Sequence, residues 1–390
     1  MNIPKFAPEL TFDYNVFFIV ASIFLAAFVS YKSYPIIIRV SRLKRLMAKP
    51  EHRSVHKTET PNLGGIGIFL GVITVLTFLG AVFNYNNLLC LIGALVVLFF
   101  TGLKDDLVNI TPKQKLLGQT IAALCVIAIT DLRIESFHGL FGIEALPYMV
   151  SVVFSLFVFI IVINAFNLID GVDGLAGSIG ITASLLFGIY FYVNNNDSLL
   201  IISLSLVGAL SSFLFFNFSK KYKIFMGDTG SMVLGFLMAY QGISFIKING
   251  MVESSMDISN APLFILALFS FPLMDTLRVF IIRIHKGRSP FSADKNHIHH
   301  DLLSLGFKHW QIALTASLFS LFMVFLSFQY NTFGANMAFM LLFLTCLSFF
   351  ALINFSKKAK GVLKKTFNHK PKKTKPSLPL QLRGFLNAFF

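Results

Sequence analysis

Long apolar runs alternate with short polar connections throughout this chain of 390 residues. About eleven of these runs approach the ~20 residues that a helix needs to cross the ~30 Å hydrocarbon core of a bilayer. They lie at approximately residues 14–34, 64–83, 87–103, 115–130, 148–166, 175–193, 198–216, 231–247, 261–282, 310–328 and 334–354. The runs are too long and too continuous for strands, and no solenoid or propeller repeat is present. The pattern predicts an all-α polytopic integral membrane protein with about eleven transmembrane helices.

The composition excludes a soluble globular protein. Hydrophobic residues make up 55% of the chain and charged residues only 13%, whereas soluble domains contain roughly a quarter charged residues. The three cysteines, Cys90, Cys125 and Cys346, all lie within apolar runs. Neither a disulfide framework nor a zinc-binding cysteine pair is therefore expected.

The basic residues predict the orientation in the membrane. With the N-terminus outside, all of the 33 Lys and Arg residues except Lys5, Arg133 and Lys247 fall at or beside inside-facing segments. We therefore predict an outside N-terminus, a transmembrane domain at residues 1–355 and a basic cytoplasmic tail at residues 356–390. The tail is expected to lie against anionic lipids, at roughly 1 kcal/mol per cation. It lacks the interleaved aromatic residues of a nucleic-acid-binding segment, so no nucleic acid partner is predicted.

Dense polar motifs occur only in the predicted cytoplasmic connections. Acidic residues on the outside are scattered, whereas those inside stand close to Gly, Asn, His and Lys. The candidate active-site loops are approximately residues 35–63, 104–115, 164–176, 217–231 and 283–309. Any chemistry is therefore expected at the cytoplasmic face.

The first motif is a pair of adjacent carboxylates, Asp105 and Asp106, at the end of the third run. Neighbouring side chains on a helix diverge by about 100°, so the pair is better suited to two partners than to one. One could bind a metal ion while the other acts as a base. The alternative is that both are interfacial residues paired with Lys104 or Lys113.

The second motif ends the fifth run and contains Asn164, Asn167, Asp170 and Asp173. A spacing of three residues keeps such side chains near one face if the segment stays helical. The segment has no Lys or Arg, which favours a nearby cation or polar heterocycle. A calcium loop is excluded, because Ile181 stands where a bidentate Glu would be required.

The third motif, Gly227-Asp228-Thr229-Gly230-Ser231, opens the eighth run. Free N–H groups at a helix start suit a phosphate, and Asp228 could hold Mg²⁺ together with phosphate oxygens. An ordinary N-cap by Asp228 or Thr229 is the alternative, although capping leaves the two glycines unexplained.

The fourth motif places His297, His299 and His300 close to Arg288 and Lys295. The spacing lacks the i, i+4 pairing of helical zinc ligands and no Cys is near, so anion recognition is favoured over a metal or a structural role. Together, the four motifs combine carboxylates, helix-start N–H groups and cationic side chains. This combination favours phosphate or pyrophosphate chemistry at a membrane surface.

These motifs resemble those of the polyprenyl-phosphate N-acetylhexosamine-1-phosphate transferase family, in particular its bacterial undecaprenyl-phosphate GlcNAc-1-phosphate transferase branch. The resemblance also includes Thr60-Pro61-Asn62-Leu63-Gly64-Gly65 and Lys115-Leu116-Leu117-Gly118-Gln119, and it runs in order over roughly residues 15–330. It implies transfer of a sugar-1-phosphate from a UDP-sugar to a polyprenyl phosphate, with release of UMP. It also implies a requirement for Mg²⁺, with Mn²⁺ as an alternative ion.

The resemblance implies a role for each motif residue. Asp228 would bind Mg²⁺, and Asp105 and Asp106 would be catalytic together with Lys115. The residues implied in substrate binding are Asn167, Asp170, Asp173 and Asn217 towards the nucleotide, and Arg288, His297, His299 and His300 towards the sugar and diphosphate. The implied partners are a UDP-N-acetylhexosamine and undecaprenyl phosphate in the bacterial inner membrane, and the resemblance leaves homodimer formation open.

The histidine loop bears on the donor sugar. Relatives that use UDP-MurNAc-pentapeptide have Pro-Ile-His-His-His there, whereas the branch that uses a plain N-acetylhexosamine has the His-Ile-His-His form found here. GlcNAc-1-phosphate transfer is therefore expected, with UDP-MurNAc-pentapeptide as the alternative donor. A membrane transporter is a remote alternative. It requires ionisable residues at mid-span, whereas almost all the acidic residues here lie at span ends, with Asp275 as the exception.

The chemistry is expected to proceed by one in-line attack of the lipid phosphate on the β-phosphorus of the donor. The second pKa of a phosphate is about 6, so the acceptor is mostly ionised at neutral pH and needs little help from a base. Asp105 is therefore expected to orient the acceptor. The rival double displacement uses an Asp as the nucleophile.

Overall fold

The computed structural model describes residues 14–48, 59–250, 255–287 and 297–368, and these ranges are almost entirely helical. The α-helices in them are α1 (Tyr14–Leu43), α2 (Gly64–Val82), α3 (Asn87–Val108), α4 (Pro112–Thr130), α5 (Tyr148–Ile169), α6 (Leu175–Val193), α7 (Asp197–Asn217), α8 (Gly227–Asn249), α9 (Ala261–Leu268), α10 (Ser270–His285), α11 (Ile298–Ser304), α12 (His309–Tyr330) and α13 (Ala335–Asn368). Two short strands, β1 (Met47–Ala48) and β2 (Thr60–Pro61), form an antiparallel pair.

The structure confirms an all-α polytopic membrane protein, with helices at all of the predicted runs. Within the described ranges, 9 single helices are long and apolar enough to cross a membrane, and α9 and α10, bent by 71°, together pass the same test as a broken span or a re-entrant loop. The predicted run at residues 115–130 corresponds to α4, which is not among these candidate spans. Its first turns carry Lys113, Lys115 and Gln119, which lower its mean hydropathy. The orientation of the termini stays a prediction.

Helix α8 lies at the centre of the bundle and packs against α2, α3, α5 and α6. It is buried along nearly its whole length, whereas α13 is mostly exposed. Large apolar side chains such as Phe24, Phe78, Phe100 and Phe157 point outwards from the peripheral helices, as expected of a surface in contact with lipid. The N-terminal end of α8 is therefore reached from several helices at once.

The extended segment before α2 pairs with the segment before α8. Phe225 N–H donates to the Pro61 carbonyl over 2.8 Å, and Gly64 N–H donates to the Phe225 carbonyl over 2.8 Å. Gly65 N–H donates in turn to the Met226 carbonyl over 2.7 Å. These bonds satisfy donors at the start of α2 that have no partner within their own helix. They also place the starts of α2 and α8 side by side.

Gly102 of α3 allows the backbone of α8 to approach closely. A Cβ atom at this position would lie 2.5 Å from Thr229 Cα and 2.7 Å from Thr229 N. Small residues serve this purpose in membrane bundles, where close backbone packing replaces a hydrophobic driving force between helices.

We predict that Gly102→Ala lowers the stability of the detergent-solubilised protein by about 1–3 kcal/mol, because the added methyl group forces α3 away from α8. Gly93→Ala is the matched control in the same helix, since a Cβ there has no neighbour within 4 Å. It should be neutral or stabilising by up to about 1 kcal/mol. The midpoint of thermal unfolding measures both effects. Equal midpoints for the two variants would contradict the proposed close contact.

Candidate active site

The Asp106 carboxylate, at the end of α3, caps the first turn of α8. Its Oδ1 accepts a hydrogen bond from Asp228 N–H over 2.8 Å. Its Oδ2 accepts from Thr229 N–H over 2.9 Å and from the Thr229 hydroxyl over 2.6 Å. Asp106 thus supplies the acceptor that a capping residue normally provides from within its own helix. The carboxylate also lies at the positive end of the α8 dipole.

Asp105 stabilises the connection from α3 to α4. Its Oδ1 accepts from Ile110 N–H over 2.8 Å, and its Oδ2 contacts Lys115 Nζ at 3.0 Å. Helix α4 begins with Pro112 in its first turn and a capping box formed by Thr111 and Gln114. This local sequence places Lys115 one turn into α4, facing back towards Asp105.

Asp228 is the point at which three helices meet. Its Oδ1 accepts hydrogen bonds from Lys115 Nζ of α4 and from Asn167 Nδ2 of α5, the latter over 2.5 Å. Asn167 Nδ2 also lies 2.8 Å from Ser231 Oγ, one turn further along α8. The ammonium group of Lys115 therefore bridges Asp105 and Asp228.

Asp170 faces a small polar cavity beside Asp228. Helix α5 ends at Ile169, so Asp170 lies in the turn that follows. The cavity has a volume of about 190 Å³ and is lined by Asn62, Asp106, Asp170, Gly171, Val172, Asp173, Asn217, Phe225, Met226, Gly227 and Asp228. No side chain in the described part of the chain donates a hydrogen bond to the Asp170 carboxylate. Burial, together with the negative charges of Asp228, Asp106 and Asp173, raises the pKa of Asp170 well above its usual value.

Asp173 and Asn217 form the outer wall of this cavity. Asp173 Oδ2 lies 2.6 Å from both Lys223 Nζ and His309 Nδ1. Burial opposes ionisation of Asp173, but the hydrogen bonds from His309 and Lys223 outweigh it and lower the pKa of this carboxyl group. Asn217 Nδ2 donates to the Ile224 carbonyl over 2.8 Å, which fixes the loop before α8.

A larger cavity of about 570 Å³ lies on the other side of the Lys115–Asp228 contact. Its lining combines cationic and polar side chains with apolar ones: Asp105, Ile110, Pro112, Lys113, Lys115, Leu116, Gln119, Asn164, Asn167, Leu168, Phe280, Arg283 and His297. Lys115 and Asn167 line this cavity and bond directly to Asp228, which lines the smaller one. The two cavities therefore share a wall that is made of these three side chains.

The predicted histidine motif forms the start of the short helix α11. His297 precedes the helix and lines the larger cavity. The buried ring of His299 covers the turn after Asp170, since a Cβ on Gly171 would lie 2.8 Å from His299 Nε2. The rings of His297 and His299 are parallel, with centroids 5.3 Å apart, and the His300 ring lies 4.5 Å from that of His299.

Helix α11 is also attached to the last helix, α13. Asp301 is buried and contacts Arg278 Nη2 at 2.8 Å and Lys357 Nζ. Lys360 donates to the carbonyls of Ser304 and Leu305 at the end of α11. The first lysines of the predicted tail thus contact the histidine-bearing helix.

Comparison with known proteins gives relatives along most of the chain. The model of Glycosyl transferase family 4 matches residues 88–246. The chain is 32% identical over 279 residues to a "Probable undecaprenyl-phosphate N-acetylglucosaminyl 1-phosphate transferase" of Bacillus subtilis, covering 70% of this chain and 74% of that protein. It is 31% identical over 307 residues to a "Decaprenyl-phosphate N-acetylglucosaminephosphotransferase" of Mycobacterium tuberculosis, covering 72% and 74%. An "Undecaprenyl-phosphate alpha-N-acetylglucosaminyl 1-phosphate transferase" of Salmonella typhi is 28% identical over 348 residues, covering 85% and 91%.

The chain belongs to glycosyl transferase family 4. This finding confirms the family that the motifs indicated.

In this family 4 protein, the predicted site residues lie within one continuous region. Direct contacts or a shared cavity connect Asp105, Asp106, Lys115, Asn167, Asp170, Asp173, Asn217 and Asp228, and α11 brings His297, His299 and His300 to the same region. Arg288 lies outside the described residues. The individual roles expected of these residues stay predictions.

Four contributors to the site were not anticipated. Lys223 and His309 bind Asp173, Asn62 lies beside Asp106, and Asp275 binds His297. Lys223 lies in the predicted active-site loop at residues 217–231, among other lysines from which no sequence signal distinguishes it. His309 opens α12, far from Asp173 in sequence, so nothing local could have paired the two.

The chemistry of the small cavity fits a hard divalent cation. Among the described residues, none donates a hydrogen bond to the Asp170 carboxylate, and Asp228 uses only Oδ1 in its contacts with Lys115 and Asn167. Asn217 Oδ1 is buried and has no hydrogen-bond partner within the described ranges. Carboxylate and amide oxygens are the ligands that Mg²⁺ prefers.

We predict that Asp106→Ala destabilises the protein by about 1–2 kcal/mol, as the loss of a helix cap does, and also abolishes activity because Asp228 is no longer held in place. Asp228→Asn should leave the unfolding midpoint nearly unchanged, since its side chain caps no backbone group. Thermal unfolding in detergent compares the two variants. An Asp106→Ala midpoint equal to that of the wild type would exclude the capping role.

We also predict that His299 makes stability depend on pH. Burial, followed by the neighbouring His300, His297 and His309, lowers the pKa of His299 well below its usual value. An unfolded His titrates near 6.5. The contribution of neutral His299 to stability is therefore complete above about pH 6.5 and is lost as the pH falls below it. The unfolding midpoint should fall more between pH 7.5 and 5.5 in the wild type than in His299→Gln, which cannot be protonated. Parallel curves would contradict the prediction.

Proposed function

We propose that this protein transfers N-acetylglucosamine-1-phosphate from UDP-N-acetylglucosamine to undecaprenyl phosphate, releasing UMP at the cytoplasmic face of the bacterial inner membrane. The observation that carries the proposal is the shared wall of the two cavities, where Lys115, Asn167 and Asp228 meet. A nucleotide diphosphate needs cationic and amide donors on one side and a metal-binding carboxylate on the other. The names of the relatives from Bacillus subtilis and Salmonella typhi support this substrate pair.

Mg²⁺ is the proposed cofactor, held by Asp228 and Asp170. Mg²⁺ held by these two carboxylates would neutralise diphosphate charge and would make the phosphorus under attack more electrophilic. The four carboxyl groups around the small cavity support the proposal, because a divalent cation would offset the burial and the repulsion between carboxylates that together raise the pKa of Asp170. In the same site Lys115, paired with Asp105, would contact the donor from the side of the larger cavity.

We propose a single displacement by the lipid phosphate. The three hydrogen bonds that Asp106 accepts from the start of α8 use both of its oxygens, so this carboxylate is poorly placed to act as a nucleophile. Asp105 is engaged by Lys115 and by the Ile110 N–H. A double displacement would instead require one of these groups to leave its partners and form a covalent phosphosugar intermediate.

The test is an assay with detergent-solubilised protein, undecaprenyl phosphate, Mg²⁺ and a panel of UDP-sugars, scored for UMP. UDP-N-acetylglucosamine should be the best donor, and UDP-MurNAc-pentapeptide should give little product. Incubation with the donor alone should release no UMP. A burst of UMP together with labelled protein would overturn the single displacement, and preference for the pentapeptide donor would overturn the proposed substrate.

We predict that Asp228→Asn lowers kcat by at least about 10²-fold, because the substitution removes the charge that the metal ion requires. Chelation by EDTA should abolish wild-type activity, and added Mg²⁺ should restore it. Asp197→Asn is the control for the substitution of Asp by Asn and should leave kcat unchanged. Asp197 lies in the first turn of α7 and accepts a hydrogen bond from Tyr85, away from the two cavities. Normal turnover by Asp228→Asn would show that the metal assignment is wrong.

A further inference from the structure

Asp275 is a fully buried carboxylate on α10, and its partners belong to the segment that carries His297. Its Oδ2 lies 2.9 Å from His297 Nδ1, and its Oδ1 accepts from Ile298 N–H over 2.8 Å. Arg278 Nη1 lies 3.8 Å from Oδ1. A charged residue inside a membrane-spanning segment is expensive unless it is paired in this way. These contacts therefore explain how Asp275 is tolerated.

The contact determines which nitrogen of His297 carries the proton. A carboxylate can only accept hydrogen bonds, so when the His297 imidazole carries a single proton, that proton lies on Nδ1. His297 lines the larger cavity together with Lys115 and Asn167. With Nδ1 engaged, Nε2 is the nitrogen available to a ligand there, and in this tautomer it is an acceptor.

We propose that Asp275 is a positioning residue for the transfer reaction, which fixes His297 in the Nδ1–H tautomer so that Nε2 accepts a hydrogen bond from an O–H or N–H group of the hexosamine. The inference rests on the proposed function. In metal sites, polar groups that orient an imidazole through its other nitrogen typically contribute about 10–100-fold to metal affinity or activity. In a serine protease triad, fixing the wrong tautomer lowers kcat by about 10⁴-fold.

Asp275→Asn tests the proposal because it preserves shape while changing polarity. The amide has one acceptor and one donor group. If the amide oxygen still accepts the hydrogen bond from Ile298 N–H, the NH₂ group donates to His297 Nδ1. The proton of the imidazole ring then lies on Nε2. We expect kcat/KM for UDP-N-acetylglucosamine to fall by about 10²-fold or more, with little change in the unfolding midpoint.

A double-mutant cycle with His297→Gln separates positioning from capping of α11. If Asp275 acts through His297, adding Asp275→Asn to His297→Gln should change kcat/KM by less than about 2-fold. Asp301→Asn is the matched control, since Asp301 is a buried carboxylate within α11 that binds Arg278 and Lys357 and contacts no histidine among the described residues. The factors by which Asp301→Asn and His297→Gln each lower kcat/KM should multiply in the double variant.

Three results of these measurements would overturn the proposal. The first is a wild-type kcat/KM in Asp275→Asn, and the second is an equal loss of kcat/KM when Asp275→Asn is added to the wild type and to His297→Gln. The third is a stoichiometric metal ion in the purified wild type that is lost from Asp275→Asn. The last concerns an alternative use of the same groups, because ligand atoms of Asp275, His297 and His299 all lie within 4.8 Å of one another. If Asp275→Asn does not fold, the tautomer of His297 in the wild-type protein decides the matter, because an Nε2–H tautomer there would overturn the proposal.

A measurement without turnover distinguishes failure of this inference from failure of the proposed function. In protein labelled with ¹⁵N-histidine, the His297 signal, assigned by its loss in His297→Gln, should report the Nδ1–H tautomer in the wild type and Nε2–H in Asp275→Asn. The same tautomer in both proteins would overturn the positioning role even if the enzyme were active. Absence of UMP release from every UDP-sugar, with the tautomer change present, would overturn the proposed function alone.

Discussion

The hydrogen bonds from the first turn of α8 to Asp106 are the interaction on which the rest of the site depends. The start of a helix leaves N–H groups that must find acceptors, and in the interior of a membrane protein water cannot supply them. Here the acceptor comes from another helix, α3, so satisfying the backbone also joins α3 to α8. The N–H group of Asp228 makes one of these hydrogen bonds, so the junction also fixes the position of Asp228. Lys115 and Asn167 then bond to the Asp228 side chain.

Negative charge in excess of positive charge gives the site its chemical character. Asp105 and Asp173 each have a cationic partner, whereas Asp170 has none among the described residues and is held near three other carboxyl groups. Such an arrangement is unfavourable in the protein alone and becomes favourable when a divalent cation binds. The larger cavity has the opposite balance, with Lys113, Lys115 and Arg283 in its wall. A diphosphate bound between them would meet cations from both sides.

Much of the fold and many of the site residues could be predicted from the sequence, because a bilayer imposes its thickness on apolar runs and makes polar clusters conspicuous. The bend between α9 and α10 was not predicted, since residues 261–282 form one apolar run in which only the packing reveals the break after Leu268. The different contacts of Asp105, which binds Lys115, and Asp106, which caps α8, could not be predicted either. Adjacent carboxylates look equivalent in sequence, and only the direction of α8 distinguishes them. Contacts between distant residues, such as Asp173 with His309, left no local signal.

Asp275 shows how a residue that contradicts the simplest interpretation can be the most informative one. A carboxylate within a transmembrane run is what the remote transporter alternative requires, yet both oxygens of Asp275 are used by the segment that starts α11. Because a buried charge is costly without partners, its position constrains where His297 can lie more strongly than any apolar contact would. A fixed acid in the bundle and a histidine at the start of a short helix together place one imidazole nitrogen at the wall of the larger cavity.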